Sequence, residues 1–197
     1  EKQLSNYSAV FAISKKDGEY FSQFHKNVVV VHPFHGNTIK NNLITRDKYI
    51  LCHGNYSISE NYRSALYLIK NVFNDSKYPI IFAGNQANER LLRFANTINN
   101  IRIIDSPSNI EMNDLIRNAH INILHTFQAT GIKLKLINSL FNGNYCIANK
   151  IMVEATPELE NLCVICNTSD EYKRKIKYYW NKNFNIVEKN TREIILK

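Results

Sequence analysis

The stretch TFQATGIKLKLINSLFNGNYCI, residues Thr126–Ile147, decides how the chain is interpreted, because apolar residues recur in it at a regular spacing. Apolar side chains recur at helical spacing at Ile132, Leu136, Leu140 and Phe141. This spacing predicts an amphipathic helix over about Gly131–Asn142, followed by a buried strand. Lys133 and Lys135 then fall in the first turn, where the positive end of the helix dipole disfavours cations. Either an anion binds there, or the two lysines extend into solvent at a small cost.

Short apolar runs alternate with helical patterns on both sides of this stretch. The runs that predict strands are KYILCHG, YPIIFAG, NIRIID, INILHTF, NYCIAN and the end of ELENLCVIC. The intervening segments predict helices. One of them is ISENYRSALYLIKNVF, with Ser59 as its cap and a buried stripe at Tyr62, Leu66, Ile69 and Phe73. Strands that alternate with helices at short spacing predict an α/β fold with a parallel, doubly wound sheet and helices on both faces.

The two ends of the chain predict further elements. YSAVFAIS, KKDGEYFSQFH and NVVVVHPF predict a strand, a helix and a second strand, and the valine run is typical of a strand covered on both faces. HGNTIKNNLITRDK is polar and aperiodic, so we interpret it as a linker. The segment from Ser169 to Lys197 is predicted to be largely helical, docked through Tyr178, Tyr179 and Trp180.

Composition narrows the class of partner. The formal net charge of +8 favours an anionic partner, which could be nucleic acid, a membrane surface or a phosphorylated small molecule, although solubility alone also explains it. No RNA-binding signature accompanies the charge. The four cysteines are expected to be reduced thiols, and CVIC lacks the second ligand pair of a zinc site. No run approaches the 18 apolar residues expected of a membrane span.

Four loops should converge at the carboxyl edge of the predicted sheet, where ligands bind in open α/β folds. They are Gly54–Ser59, Gly84–Asn88, Ser106–Glu111 and Thr126–Gly131. A helix N-terminus at this edge offers unpaired N–H groups and suits a phosphate. His53 and His125 end predicted strands there, and each is more simply interpreted as a hydrogen-bonded structural residue. Glu60 and Glu111 are single carboxylates and do not form an acid/base pair.

The segment IRIIDSPSNIEMNDLIRNAHINILHTFQATGIKLKLINSLFNGNYCIAN resembles the nucleotide-sugar-binding half of GT-B glycosyltransferases, especially glycosyltransferase family 4. Thr130–Gly143 aligns without a gap with the family pattern E-G-F-G-L-P-L-L-E-A-M-A-x-G. The segment from SAVFAIS to VVVVHPF is similar to the last βαβ piece of the N-terminal domain and its crossover. The resemblance therefore covers nearly the whole chain and implies a Rossmann-like donor-binding domain plus a remnant of a second one.

The sequence departs from this family pattern in its charges. Thr130 and Asn138 occupy the positions of two family glutamates that contact the donor sugar and the ribose. Lys133 and Lys135 occupy the positions of a glycine and a proline. The loop HGNYSISEN contains none of the cations that hold the pyrophosphate in the family. We therefore hypothesise that Lys133, and less directly Lys135, supply this positive charge from the other side of the cleft.

The resemblance implies a division into residues 1–35 as the end of an N-terminal domain, 36–48 as a linker and 49–197 as the donor-binding domain. It implies that the chain belongs to a glycosyltransferase that takes a sugar from a UDP- or GDP-linked donor and transfers it to an acceptor hydroxyl. The acceptor would be a lipid-linked or other saccharide in bacterial surface polysaccharide synthesis. We expect a cytoplasmic protein that is peripheral to the inner face of the membrane.

The donor site implied by the resemblance includes residues from three loops and the helix that follows the last of them: Gly54, Asn55, Ser106, Pro107, Thr130, Gly131, Ile132, Lys133, Leu134, Lys135 and Asn138. No metal, no other cofactor and no nucleic-acid partner are expected, and catalytic residues are not identified. Two other functions stay open. One is a non-catalytic nucleotide-binding or protein-interaction module of the same fold. The other is a nucleotide-sugar epimerase, for which no suitable carboxylates are evident.

Overall fold

The computed structural model describes residues 3–31, 48–129 and 131–196, and these ranges form two separate parallel sheets. The smaller sheet pairs β1 (Val10–Ala12) with β2 (Val28–Val30), and α1 (Lys15–Phe21) connects them. The strand–helix–strand prediction for this region is confirmed. Most of the predicted linker lies outside the described residues.

The prediction that the valine run is covered on both faces is wrong for the described part of the chain. Val29 and Val30 are 42% and 37% exposed. Helix α1 packs on this sheet so closely that a Cβ at Gly18 would lie 2.7 Å from the Val30 side chain. None of the residues Val28–Val30 is fully buried, since a β-branched run forms a strand whether or not both of its faces are covered.

The larger sheet has six parallel strands in the order β5-β4-β3-β6-β7-β8. Its strands are β3 (Ile50–His53), β4 (Ile80–Gly84), β5 (Ile101–Asp105), β6 (Ile121–Leu124), β7 (Tyr145–Ala148) and β8 (Val164–Ile165). Ile50 of β3 lies opposite Ile80 of β4 on one side and Ile121 of β6 on the other. The chain thus builds outward from β3 in one direction and then returns to add β6 on its other side. This reversal between β3 and β6 is the topological switch point of a Rossmann-like sheet.

Helices cover both faces of this sheet, as the alternating pattern predicts. They are α2 (Ser59–Tyr67), α3 (Glu89–Ala95), α4 (Asn109–Asn118), α5 (Leu134–Asn142), α6 (Lys150–Val153), α7 (Ser169–Trp180) and α8 (Ile186–Leu196). Residues of α2, α3 and α7 share one core with Ile50, Phe82 and Ile123. Residues of α4, α5 and α6 pack on the opposite face. Both faces of the central strands are therefore buried from solvent, which explains why their sequences are nearly continuous apolar runs.

Two details of the helix after β3 differ from the sequence prediction. Ile58 is the N-cap and Ser59 is already helical, so the predicted Ser59 cap is wrong. After Tyr67 the helix continues as a π-helical segment, Leu68–Val72, in which the Phe73 N–H bonds the Leu68 carbonyl at 2.9 Å. The predicted stripe persists, with Ile69 and Phe73 fully buried. The extra residue per turn also brings Leu68 and Val72 into the core.

Two of the three predicted aromatic residues help to dock the C-terminal segment: Tyr179 and Trp180 are half-buried and pack against the core, with ring centroids 4.7 Å from Tyr145 and 4.6 Å from Tyr78. Tyr172 and Ile176 of α7 are buried, whereas Tyr178 is 52% exposed. Arg192 of α8 is buried and donates to the carbonyls that end α5, those of Leu140, Gly143 and Asn144. The last carbonyl groups of a helix have no N–H donor within the helix, and the Arg192 guanidinium supplies the missing donors here. Helix α8 is thereby tied to the C-terminal end of α5.

Candidate functional site

The switch point brings the loop after β3 next to the end of β4. The Gly54 N–H bonds the Ala83 carbonyl at 3.1 Å. A Cβ at Gly84 would lie 1.7 Å from the Gly54 carbonyl oxygen, so only glycine fits there. Asn55 accepts bonds on its side-chain oxygen from Ser57 and on its carbonyl from Asn61 at 2.9 Å. Gly54 and Asn55 therefore form a compact turn at the carboxyl edge, where the sequence predicted them.

The N-terminus of α5 lies at the same edge because α5 follows β6. Gly131 has φ +72, a left-handed conformation that favours glycine, and open space surrounds the position of its missing Cβ. Lys133 is the N-cap and its side chain makes no capping bond. Helix α5 therefore begins at Leu134 rather than at Gly131. Its first amides have no intrahelical acceptor, which makes this end suitable for an anion.

Lys135 is a partly buried cation inside the cleft between α2 and α5. Its Nζ donates to the Asn61 side-chain oxygen at 2.9 Å. Burial, reinforced by the charge of Lys133, lowers the pKa of Lys135 to about 8, against opposing attraction from Glu60 and Cys52. Burial also lowers the pKa of Lys133, and Glu60 opposes that effect. Two desolvated ammonium groups side by side would be stabilised by an anionic ligand.

Glu60, in the first turn of α2, belongs to this cleft, although the donor site expected from the sequence does not include it. Its Oε1 accepts bonds from the Phe127 N–H at 2.5 Å, the Thr126 hydroxyl at 3.0 Å and the Ser64 hydroxyl at 3.3 Å. Desolvation raises the pKa of Glu60, but these bonds, led by that from Phe127, outweigh it and leave the pKa below its ordinary value. The signal available in the sequence was its position after β3, at the predicted switch point.

The two histidines at the strand ends are structural in their contacts. His53 Nε2 lies 3.0 Å from the Ser139 hydroxyl, and His125 Nδ1 lies 3.2 Å from the Ser64 hydroxyl. Burial, with Lys135 adding to it, lowers the pKa of His53 to about 3. Burial also lowers the pKa of His125 to about 4, although Glu60 opposes this. Both imidazoles are therefore neutral at pH 7 and contribute hydrogen bonds rather than charge.

The remaining predicted residues are more widely spread. Ser106 and Pro107 follow β5, and β4 separates them from β3, a lateral distance of roughly 10 Å at the usual strand spacing. Ser106 adopts φ +52 and its N–H bonds the Gly84 carbonyl at 2.8 Å. The Asn138 side-chain oxygen accepts from Asn142 at 2.7 Å, one turn further along α5.

Three predicted residues flank or enter the start of α5. Ile132 is half-buried, and Leu134, the first helical residue, is 58% exposed. Thr130 lies outside the described residues. Gly131, Lys133 and Lys135 are close neighbours along the chain at the start of α5, and Lys135 is linked to the turn after β3 through Asn61, which bonds both Lys135 and the Asn55 carbonyl.

Comparison with known proteins identifies the fold. No family model and no curated protein sequence matches the chain. A glycosyltransferase from Rickettsia africae superposes with a TM-score of 0.70 at 16% identity, over 95% of this chain and 57% of that one. Sucrose-phosphate synthase from Thermosynechococcus elongatus gives 0.73 at 10% identity, over 98% and 55%. Staphylococcus aureus TarM, solved as a complex that includes UDP, gives 0.70 at 11% identity, over 98% and 41%.

These likenesses show that the chain has a GT-B glycosyltransferase fold, as the resemblance in its sequence implied. The chain spans about half the length of these solved structures. Within residues 3–31, 48–129 and 131–196, no helix is long and apolar enough to cross a membrane.

Proposed function

We propose that the chain is the donor-binding part of a glycosyltransferase that transfers a sugar from a nucleotide diphosphate sugar to an acceptor hydroxyl. The observation that carries the proposal is the cluster of Gly131, Lys133, Lys135 and the N-terminus of α5 at the switch point of a GT-B sheet. Open α/β sheets bind their ligands at this point, and GT-B structures are the ones this chain resembles.

The two lysines and the helix N-terminus would bind the diphosphate. As the sugar leaves, negative charge develops on the departing diphosphate, and fixed cations and amides stabilise such charge best when they are already oriented. Lys135 is oriented by its bond to Asn61. Gly54 and Asn55 would approach the donor from the opposite loop, and Ser106 and Pro107 would border the base. Catalytic residues and the acceptor would come from parts of the protein beyond this cleft.

Several finer statements belong to the same proposal. The donor would be UDP- or GDP-linked. The structure of TarM and that of a pneumococcal O-GlcNAc transferase both include UDP, which favours uridine for this chain too. The acceptor would be a lipid-linked or other saccharide in bacterial surface polysaccharide synthesis. The protein would work in the cytoplasm at the inner face of the membrane, to which its net charge of +8 would attract it.

We also propose that residues 49–197 form the donor-binding domain and that residues 1–35 contribute to a second one, joined by residues 36–48. This division is supported by the sheets: β1 and β2 pair only with each other within the described residues. The greater length of the similar solved structures also favours it.

Calorimetric titration of the chain with UDP and with GDP tests the proposal. We expect saturable binding of at least one nucleotide, and weaker binding by Lys133→Ala and Lys135→Ala. Lys77→Ala is the matched control, because Lys77 is an exposed lysine that precedes β4 at the opposite edge of the sheet. Absence of saturable binding, or equal losses in all three variants, would refute the proposal.

A non-catalytic module of the same fold is the second candidate. Thr130 and Asn138 in place of two glutamates favour it, because neutral side chains can bind hydroxyls but cannot act as ionised partners. Binding without donor hydrolysis or transfer by the full-length protein, measured with labelled nucleotide sugars, would favour this candidate over the enzyme.

A further inference from the structure

We propose that Glu60 is a positioning residue of this cleft: its carboxylate holds the segment that leads into α5 and supplies the negative charge that Lys133 and Lys135 face. This inference rests on the proposed function for its effect on nucleotide binding. Its structural part, the effect of Glu60 on the two lysines, can be measured without a nucleotide.

Glu60 anchors the chain as it leaves β6. Glu60 Oε1 binds the Phe127 N–H and the Thr126 hydroxyl at 2.5 and 3.0 Å. On the other side of Thr126, Asn149 accepts its N–H at 3.2 Å and donates to its carbonyl at 2.6 Å. The Thr126 hydroxyl in turn accepts the Gln128 N–H at 3.1 Å. Three consecutive residues are thus fixed just before the segment that carries Gly131 and Lys133.

Neighbouring residues of α2 contact the same segment. The Arg63 guanidinium lies 5.3 Å from the centre of the Phe127 ring. Asn61 accepts the bond from Lys135. The first turn of α2 therefore contacts both the start and the end of the β6–α5 segment, and Glu60 provides its charged contact with the backbone.

Glu60 also sets the charge balance around the two lysines. The titratable groups that influence the pKa of Lys135 are Lys133, Glu60 and Cys52, and Lys135 in turn lowers the pKa of the neutral imidazoles of His53 and His125. Among these groups, Glu60 is the ionised carboxylate. It favours the protonated form of both lysines, but it also repels a diphosphate that binds to them. Glu60 should therefore keep Lys135 charged to a higher pH while reducing the affinity for the nucleotide.

Two substitutions separate these roles. Glu60→Gln keeps a side-chain oxygen that can accept the bonds from Phe127 and Thr126 but removes the charge. Glu60→Ala removes both. Glu158→Gln is the matched control, because Glu158 is an exposed glutamate in the 3-10 helix Pro157–Leu162 before β8.

The first measurement is the NMR titration of the lysine side chains without nucleotide. We expect the Lys135 midpoint to fall below its wild-type value of about 8 in Glu60→Gln and to stay unchanged in Glu158→Gln. An unchanged midpoint in Glu60→Gln would overturn the inference whether or not the chain binds nucleotides.

The second measurement is UDP and GDP affinity from pH 6.5 to pH 9.5. At pH 6.5 we expect Glu60→Gln to bind about two- to fivefold tighter, the size of a partly exposed charge pair. Its affinity should then start to fall at a lower pH than in the wild type. Glu60→Ala should bind more weakly than Glu60→Gln at every pH, because its loop is released. Equal profiles for wild type and Glu60→Gln would overturn the inference, whereas a wild type that binds neither nucleotide would refute the proposed function instead.

Discussion

Lys135 should reduce the stability of the folded chain, and Lys135→Met tests this directly. Burial and the neighbouring Lys133 lower its pKa from the ordinary value of 10.5 to about 8. The unfolded chain therefore binds this proton more tightly than the folded chain does. The pKa difference from about 8 to 10.5, at about 1.36 kcal/mol per unit, gives a cost of about 3 kcal/mol.

Two effects make the expected gain in stability of Lys135→Met smaller than this cost. Lys135 is partly exposed, so water screens some of the penalty. Methionine also cannot donate to Asn61, which loses its 2.9 Å bond. We therefore expect Lys135→Met to raise the free energy of unfolding by about 1–2 kcal/mol at neutral pH. Methionine fills a similar volume with an apolar, flexible chain, so no large cavity should result.

The sign of the pH dependence makes the test specific. The destabilisation by Lys135 is fully present below pH 8, where Lys135 is protonated in both the folded and the unfolded chain. It disappears as the pH rises towards 10.5, the ordinary pKa of lysine. Urea unfolding of wild type and Lys135→Met at pH 7 and pH 10 should show a gain that shrinks at the higher pH. Lys77→Met, an exposed control, should show no gain at either pH. A variant less stable than wild type at pH 7, or a gain of equal size at both pH values, would refute the reasoning.

Four further predictions follow from single contacts. Lys133→Ala should weaken UDP or GDP binding about tenfold or more in calorimetry, the usual loss for a hydrogen bond to a charged group, and an unchanged affinity would contradict it. Gly131→Ala should cost roughly 1–2 kcal/mol in urea unfolding because of φ +72, with Gly131→Asn closer to wild type; equal stability of all three chains would count against this. Arg192→Met should cost about 2–4 kcal/mol, since it leaves the carbonyls that end α5 without their donor, and a loss under about 0.5 kcal/mol would contradict that role. The pKa of His125, held at about 4 by burial, predicts that stability falls as the pH drops from 6.5 towards 4, and that His125→Gln, followed by urea unfolding, reduces this slope.

The six-stranded sheet could be predicted because its central strands are covered on both faces. Such strands have nearly continuous apolar runs, as in Ile121–Leu124 and Tyr145–Ala148, and helical patterns separate them. The same logic failed for Val28–Val30, since a run of valines does not reveal whether a second layer covers it. The π-helical segment Leu68–Val72 was also missed, because one extra residue per turn changes the apolar spacing too little to be read from the sequence.

The residues proposed for the site could be singled out from the sequence where one stretch contains them, and could not be where their contacts depend on neighbours in space. Lys133 and Lys135 stand out in the sequence because cations in a first turn oppose the helix dipole, and Gly131 precedes them in the same stretch. Glu60 did not stand out, because its role arises from the approach of α2 to Phe127, far away along the chain. The bond between Asn138 and Asn142 likewise depends on side-chain rotamers that no sequence pattern specifies.

The central claim is that a nucleotide diphosphate binds at the N-terminus of α5. The most direct test is an amide NMR titration of the chain with UDP and with GDP. We expect saturable shifts concentrated at Gly131–Lys135 and at the turn of Gly54 and Asn55, and their loss in Lys133→Ala. Shifts that saturate elsewhere in the chain while these amides stay unchanged would contradict the claim.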